Sequence, residues 1–236
     1  MVFDPLYLLL VLLPGLIISG GASMLVKSTF KRYSTVPSRN GYTGAQAAQK
    51  LLDNAGIHDV AVVRSQGYLS DHYNPVTKQL ALSEPVYDSN SIAAVGVATH
   101  EAGHAIQHAT SYAPLGWRSA IVPLAQIGSK AGYLAMFGGL FLMTANAVLG
   151  QWVVGLGAVL FGLMLLFQII TLPVEYNASA RAKALVVESG IVYPEERVGI
   201  DRVLNAAALT YVAAAVSTAL TLVYFLFRAG ILGGRD

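Results

Sequence analysis

Five consecutive residues, His100-Glu101-Ala102-Gly103-His104, hold the side chains in this 236-residue chain best suited to chemistry. On a helix, His100 and His104 stand one above the other on the same face and can offer imidazole nitrogens to one metal ion at about 2.0–2.1 Å. Glu101 lies about 100° further round, beside the ion rather than on it. From there its carboxylate can take a proton from a water at the ion and later deliver it to a leaving amine, the division of labour used by zinc peptidases. Ala102 and Gly103 leave room for another element to pack closely. The plainer reading is a helix whose histidines are hydrogen-bonded core or surface residues. With Cys 0 in the chain, no thiolate metal site, iron–sulfur cluster, disulfide or cysteine nucleophile is available.

A catalytic zinc usually has three protein ligands and one open position, so a third ligand is required. His108 continues the series but lies about 12 Å along the axis from His100, too far to share one small ion with it. It reads as a polar residue of the same face or as a hydrogen-bond partner of a ligand. The metzincin pattern needs a histidine at position 110, and Thr110 excludes it. Glu175, in Pro173-Val-Glu-Tyr-Asn-Ala-Ser-Ala-Arg-Ala182, is the better candidate. A helix starting near Val174 would set Ala178, Ser179 and Ala182 beside Glu175, a small-residue surface able to press on Ala102 and Gly103. The alternative for Glu175 is a carboxylate at a helix N-terminus, favoured there by the dipole.

The elements that must position these residues are legible nearby. Asp88-Ser-Asn-Ser91 offers N-caps to a helix running from Ile92 to about Ala109, the one that carries both histidines. Thr43-Gly-Ala-Gln46 has the form of a capping box, and Ala47, Ala48, Leu51, Leu52 and Ala55 recur at helical spacing until Gly56. From Val60 to Ser83 the residues favour strand, and Asn74-Pro75 marks the turn of a β-hairpin of about Gly67–Tyr73 against Gln79–Ser83. A substrate backbone can add to the strand near Asp71-His72-Tyr73. Alternation puts His72 on one face and Asp71 with Tyr73 on the other.

The charges are unevenly spread. Only 12% of the residues are charged, and none falls in the windows 5–26, 131–174 and 203–227. Apolar runs longer than about 18 residues can cross a hydrocarbon core about 30 Å thick. This excludes an ordinary cytosolic protein, and a net charge of +2 without a dense basic run gives no sign of nucleic-acid binding. The expected spans are residues 5–26, kinked at Pro14-Gly15, a hairpin over 131–172 that turns at Asn146–Gln151, and 206–227. Residues Trp117–Ser129 either lie in the interface or lengthen the second helix. Four crossings place the long segment 27–130 and the segment 173–205 on one side, with thirteen of the fifteen Lys and Arg. By the positive-inside rule that side is cytoplasmic, in a multi-pass protein of the cell (inner) membrane.

The motifs Leu69-Ser-Asp-His-Tyr-Asn-Pro75, Leu82-Ser-Glu-Pro-Val-Tyr87, His100-Glu-Ala-Gly-His-Ala-Ile-Gln-His108 and Leu172-Pro-Val-Glu-Tyr-Asn-Ala-Ser-Ala-Arg181 together resemble the YugP family of membrane neutral zinc metallopeptidases, over nearly the whole chain. The resemblance implies a multi-spanning zinc peptidase with His100 and His104 as ligands and Glu101 as catalytic base. More distantly the chain is similar to HtpX and the CAAX prenyl proteases, gluzincins whose third ligand is a glutamate on a later helix, where Glu175 stands. Those relatives usually carry an aspartate four residues further on, and this chain has Ser179, so the bond supporting a ligand histidine must be weaker or come from elsewhere.

The expectation is a mainly α integral membrane protein with about four transmembrane helices and a zincin-like α+β catalytic segment, a small hairpin plus the His100–His104 helix. It would be a zinc-dependent endopeptidase holding one zinc ion per chain, with a lipid bilayer around it and a peptide or membrane protein as substrate. His72, Tyr73, His108, Asn177, Ser179 and Arg181 are candidates for touching substrate or supporting the ligands; taken singly, His72, Tyr73 and Arg181 also read as ordinary strand polar residues and a surface cation. Two other classes are a membrane scaffold with a structural zinc and a metal-binding transporter. The intact Glu101 argues against the first, and three windows free of Asp, Glu, Lys, Arg and His argue against the second.

Overall fold

The computed structural model describes residues 4–67 and 70–232. Its elements are α1 (Pro5–Tyr33), α2 (Gly44–Asn54), β1 (Ala61–Ser65), β2 (His72–Asn74), β3 (Gln79–Ser83), α3 (Glu84–Tyr87), α4 (Ile92–Ala109), α5 (Ala113–Leu142), α6 (Ala147–Glu188) and α7 (Arg197–Arg228). By contacts the chain divides into two units, one of residues 1–22, 116–172 and 210–236, the other of residues 23–115 and 173–209.

In the second unit, α4 is the central element, with both its ends set by local chemistry. Ser91 caps it by accepting from the Ala94 amide. Most of its residues are buried, and Val95, Ala98 and Ala102 join a core with Leu51, Leu52, Leu80, Leu82, Val86 and Ile200. The expected capping box on α2 forms, Thr43 and Gln46 each bonding the other's backbone amide. The strands form one sheet in the order β1-β3-β2. The hairpin is present but shorter than expected: His72 pairs with Ala81 and Asn74 with Gln79, and Tyr68 and Leu69 of the anticipated strand lie outside the described residues. Asp71 is instead drawn out of the ladder, its carboxylate accepting from the Ser83 amide (2.7 Å) and hydroxyl (3.0 Å). The Asn74 side chain closes the turn by accepting from Val76 and Thr77. Strand β1 adds in parallel on the far side of β3, Ala61 opposite Gln79.

The described residues of the first unit form helices and the turns between them. Among the described residues, three helices are long and apolar enough to cross a membrane: α1, α6 and α7. Pro14 has no N–H to give the carbonyl of Leu10, and the turn before it widens over Leu8–Leu12, where the Leu13 amide bonds the Leu8 carbonyl five residues back. Close packing of α5 on α6 depends on small residues: a Cβ at Gly132 would sit 2.5 Å from the Phe161 nitrogen. Tyr7, Tyr133, Phe137, Tyr224 and Phe225 interlock edge-on in the core of this unit. Leu134, Phe141, Trp152 and Val159 point outward and are exposed, an apolar exterior a soluble protein does not present.

The boundaries correct the sequence reading in two places. The chain turns at Met143–Asn146, before the anticipated Asn146–Gln151, and α5 starts at Ala113, so Trp117–Ser129 lengthens that helix. No helix begins at Val174. Instead α6 runs unbroken through Pro173, and Glu175 lies in its interior, so the helix-terminus reading of that carboxylate fails.

Candidate metal centre

His100 and His104 lie one turn apart on α4, and Glu175 lies on α6. Gly103 lets the two helices meet: a Cβ there would be 2.7 Å from the Ala178 carbonyl oxygen. Of the small-residue contact expected between Ala102-Gly103 and the Ala178 face, the approach of Gly103 to Ala178 is present. It brings the Glu175 Oε2 to 3.3 Å from His100 Nε2 and 3.5 Å from His104 Nε2. One ligand atom from each of the three residues falls within 4.8 Å of the others. Charge-assisted hydrogen bonds are shorter, about 2.7–2.9 Å. Ligands held tetrahedrally at about 2.0–2.2 Å are about 3.3–3.5 Å apart, the size of the two histidine–glutamate separations. Two imidazole nitrogens and one carboxylate oxygen are also the donor set of a catalytic zinc site.

The outer ring nitrogens are held from behind. His100 Nδ1 is 3.2 Å from the Ser179 hydroxyl. His104 Nδ1 is 3.0 Å from the Gln107 Oε1. Gln107, wholly buried, gives its amide hydrogens to the Val174 carbonyl (2.8 Å) and to Asn177 Oδ1 (3.0 Å), and Arg181 Nε donates to the same oxygen (2.9 Å). Glu175 is 2% exposed and Glu101 9%. Burial disfavours the His104 imidazolium, but the bond to Glu175 and the charges of Glu101 and Glu175 outweigh it and raise its pKa above the ordinary value.

The remaining candidates separate from this group. His108 points to β2, its Nδ1 2.8 Å from the Tyr73 hydroxyl, on the rim of an open pocket lined also by Ile57, Val60 and Ala105. His72 is exposed, its Nδ1 2.8 Å from the Ser70 carbonyl oxygen. Asn177 reaches the site through Gln107, and Arg181 through Asn177. That glutamine is absent from the sequence reading, although an amide three residues beyond a ligand histidine on one helix was the signal available.

Comparison with known proteins gives the chain a family. The model of a family described as "Putative neutral zinc metallopeptidase" matches residues 8–230. The chain is 45% identical over 215 residues to the "Putative membrane protease YugP" of Bacillus subtilis (strain 168), covering 91% of this chain and 92% of that one. No solved structure matches. Matched over almost its full length, and with two histidines and a glutamate grouped so that they could hold a metal ion, the chain belongs to the neutral zinc metallopeptidase family.

Proposed function

We propose that this protein is a membrane-embedded zinc-dependent endopeptidase in which His100, His104 and Glu175 hold one zinc ion and Glu101 is the general base. The observation that carries the reading is the convergence of the three ligand atoms within 4.8 Å, with a buried carboxylate one residue from the first histidine. When bound, zinc supplies Lewis acidity to polarise the scissile carbonyl and acidify a water. The Glu101 carboxylate takes one proton from the attacking water and returns it to the nitrogen of the breaking peptide bond. Strand β2 is at an edge of its sheet, which supports its use as a backbone template for an extended substrate. A structural zinc scaffold has no need of Glu101. The test is incubation of the detergent-solubilised protein with an unfolded polypeptide: new peptide termini appear, and a chelator stops their formation. Cleavage unaffected by chelation would overturn the reading.

The same proposal takes α5 as a fourth crossing and the catalytic segments as cytoplasmic. Support for α5 comes from its close packing on α6 at Gly132 and from Ile127, Leu134 and Phe141 on its exposed face. Lys27, Lys31 and Arg32, just beyond the first charge-free window, support the orientation. Single cysteines at the exposed positions Thr77, Glu195 and Ala145 report on this directly in intact cells. A membrane-impermeant thiol reagent is expected to label position 145 and spare 77 and 195. Labelling of 77 and 195 together would reverse the orientation, and labelling of only one would break the four-crossing arrangement.

A further inference from the structure

We infer that Gln107 is a positioning residue that joins the two halves of the metal centre, fixing the tautomer of His104 and the backbone beside Glu175 with one side chain. The inference rests on the zinc-site reading above and concerns residues that hold the site without touching the ion.

The direction of every bond at Gln107 is forced. The Val174 carbonyl can only accept, so the atom facing it at 2.8 Å must be the amide nitrogen. Its other hydrogen goes to Asn177, whose Oδ1 also receives Arg181 Nε and must therefore be the oxygen. The remaining atom of Gln107, Oε1, can only accept, and its neighbour is His104 Nδ1 at 3.0 Å. His104 thus carries a proton on Nδ1, and in its neutral form the nitrogen left with the lone pair is Nε2, the one on the side of Glu175. A neutral histidine free to choose would spend part of its time with Nε2 protonated, unable to bind metal. Donation from both amide hydrogens of Gln107 also polarises its carbonyl, which strengthens its hold on Nδ1–H and makes Nε2 a better donor to a cation.

The second function follows from where the nitrogen bonds. Val174 immediately precedes Glu175, so the side chain that sets the His104 tautomer also ties α4 to the α6 backbone at the third ligand. Gln107 is fully buried and all three of its bonds are satisfied, whereas removing the amide would leave the Val174 carbonyl and His104 Nδ1 with one partner fewer. Asn177 is the hinge of the arrangement, one oxygen accepting from both Gln107 and Arg181.

The test uses the full-length protein in detergent and reads zinc affinity by competition with a chromophoric chelator. Gln107→Met, similar in length but without hydrogen bonds, is expected to weaken zinc binding by about 10- to 100-fold. Asn177→Leu should weaken it in the same direction, and Asn177→Asp, whose carboxylate accepts from both donors, should restore it. The rescue separates positioning from mere packing, since leucine and aspartate both lose the amide but only aspartate keeps the acceptor. Should Gln107→Met fail to fold, the Asn177 pair decides alone. Wild-type affinity in Gln107→Met, or equal affinities for Asn177→Leu and Asn177→Asp, overturns the inference. A wild-type protein that binds no zinc would instead overturn the metal-site reading on which it rests.

Discussion

Glu101→Gln is expected to keep its zinc and to hydrolyse peptide about 10²- to 10⁴-fold more slowly than the wild type, the usual cost of losing a general base. The amide is nearly the same size and can still hold a water, but it cannot accept that water's proton. Glu101 is buried beside the two histidines and forms no part of the group of three converging ligands, so its replacement removes a proton acceptor and leaves the donor set intact. The paired measurement is zinc per chain and initial rate on one preparation. An active Glu101→Gln protein would remove Glu101 from the mechanism, and loss of zinc along with activity would make it a ligand or a support.

Glu175→Ala is expected to strip zinc from the site, and His108→Ala to leave it in place. Glu175 gives the only oxygen of the group, and its Oε2 is within 3.5 Å of both histidine Nε2 atoms. Its removal should cost more than the roughly 10- to 100-fold that follows loss of a supporting partner. His108 faces Tyr73 and not the ligands. Zinc content of the two variants after dialysis against the same weak chelator decides the assignment. Zinc lost from His108→Ala and retained by Glu175→Ala would reverse it.

The parts of the site that a short stretch of sequence determines were legible in it. Spacing alone put His100 and His104 on one face, and Ser91 and the Thr43–Gln46 box capped their helices as their side chains dictate. Glu175 was reached because the charge-free windows and the need for a third ligand agree on it. Long-range pairings were less accessible. Nothing local tells Ala61–Ser65 to pair in parallel with β3, which follows it in the chain only after β2. The sequence reading considered a helix starting near Val174, yet α6 continues through Pro173, as membrane helices allow when other groups satisfy the freed carbonyl. Arg118 and Lys130 hid the true start of α5 from a reading based on charge-free length. Gln107 went unseen because its partners, Val174 and Asn177, are about seventy positions away in the chain.

The central claim is that one zinc ion, held by His100, His104 and Glu175, makes this protein a peptidase. Its most direct test is the cleavage assay run as a titration on protein stripped of metal and returned to chelator-free buffer. The account predicts no hydrolysis at zero zinc, a rate that rises in proportion to added zinc, and a plateau at one ion per chain. Hydrolysis by the stripped protein, or none at one zinc per chain in protein that remains folded, would contradict it.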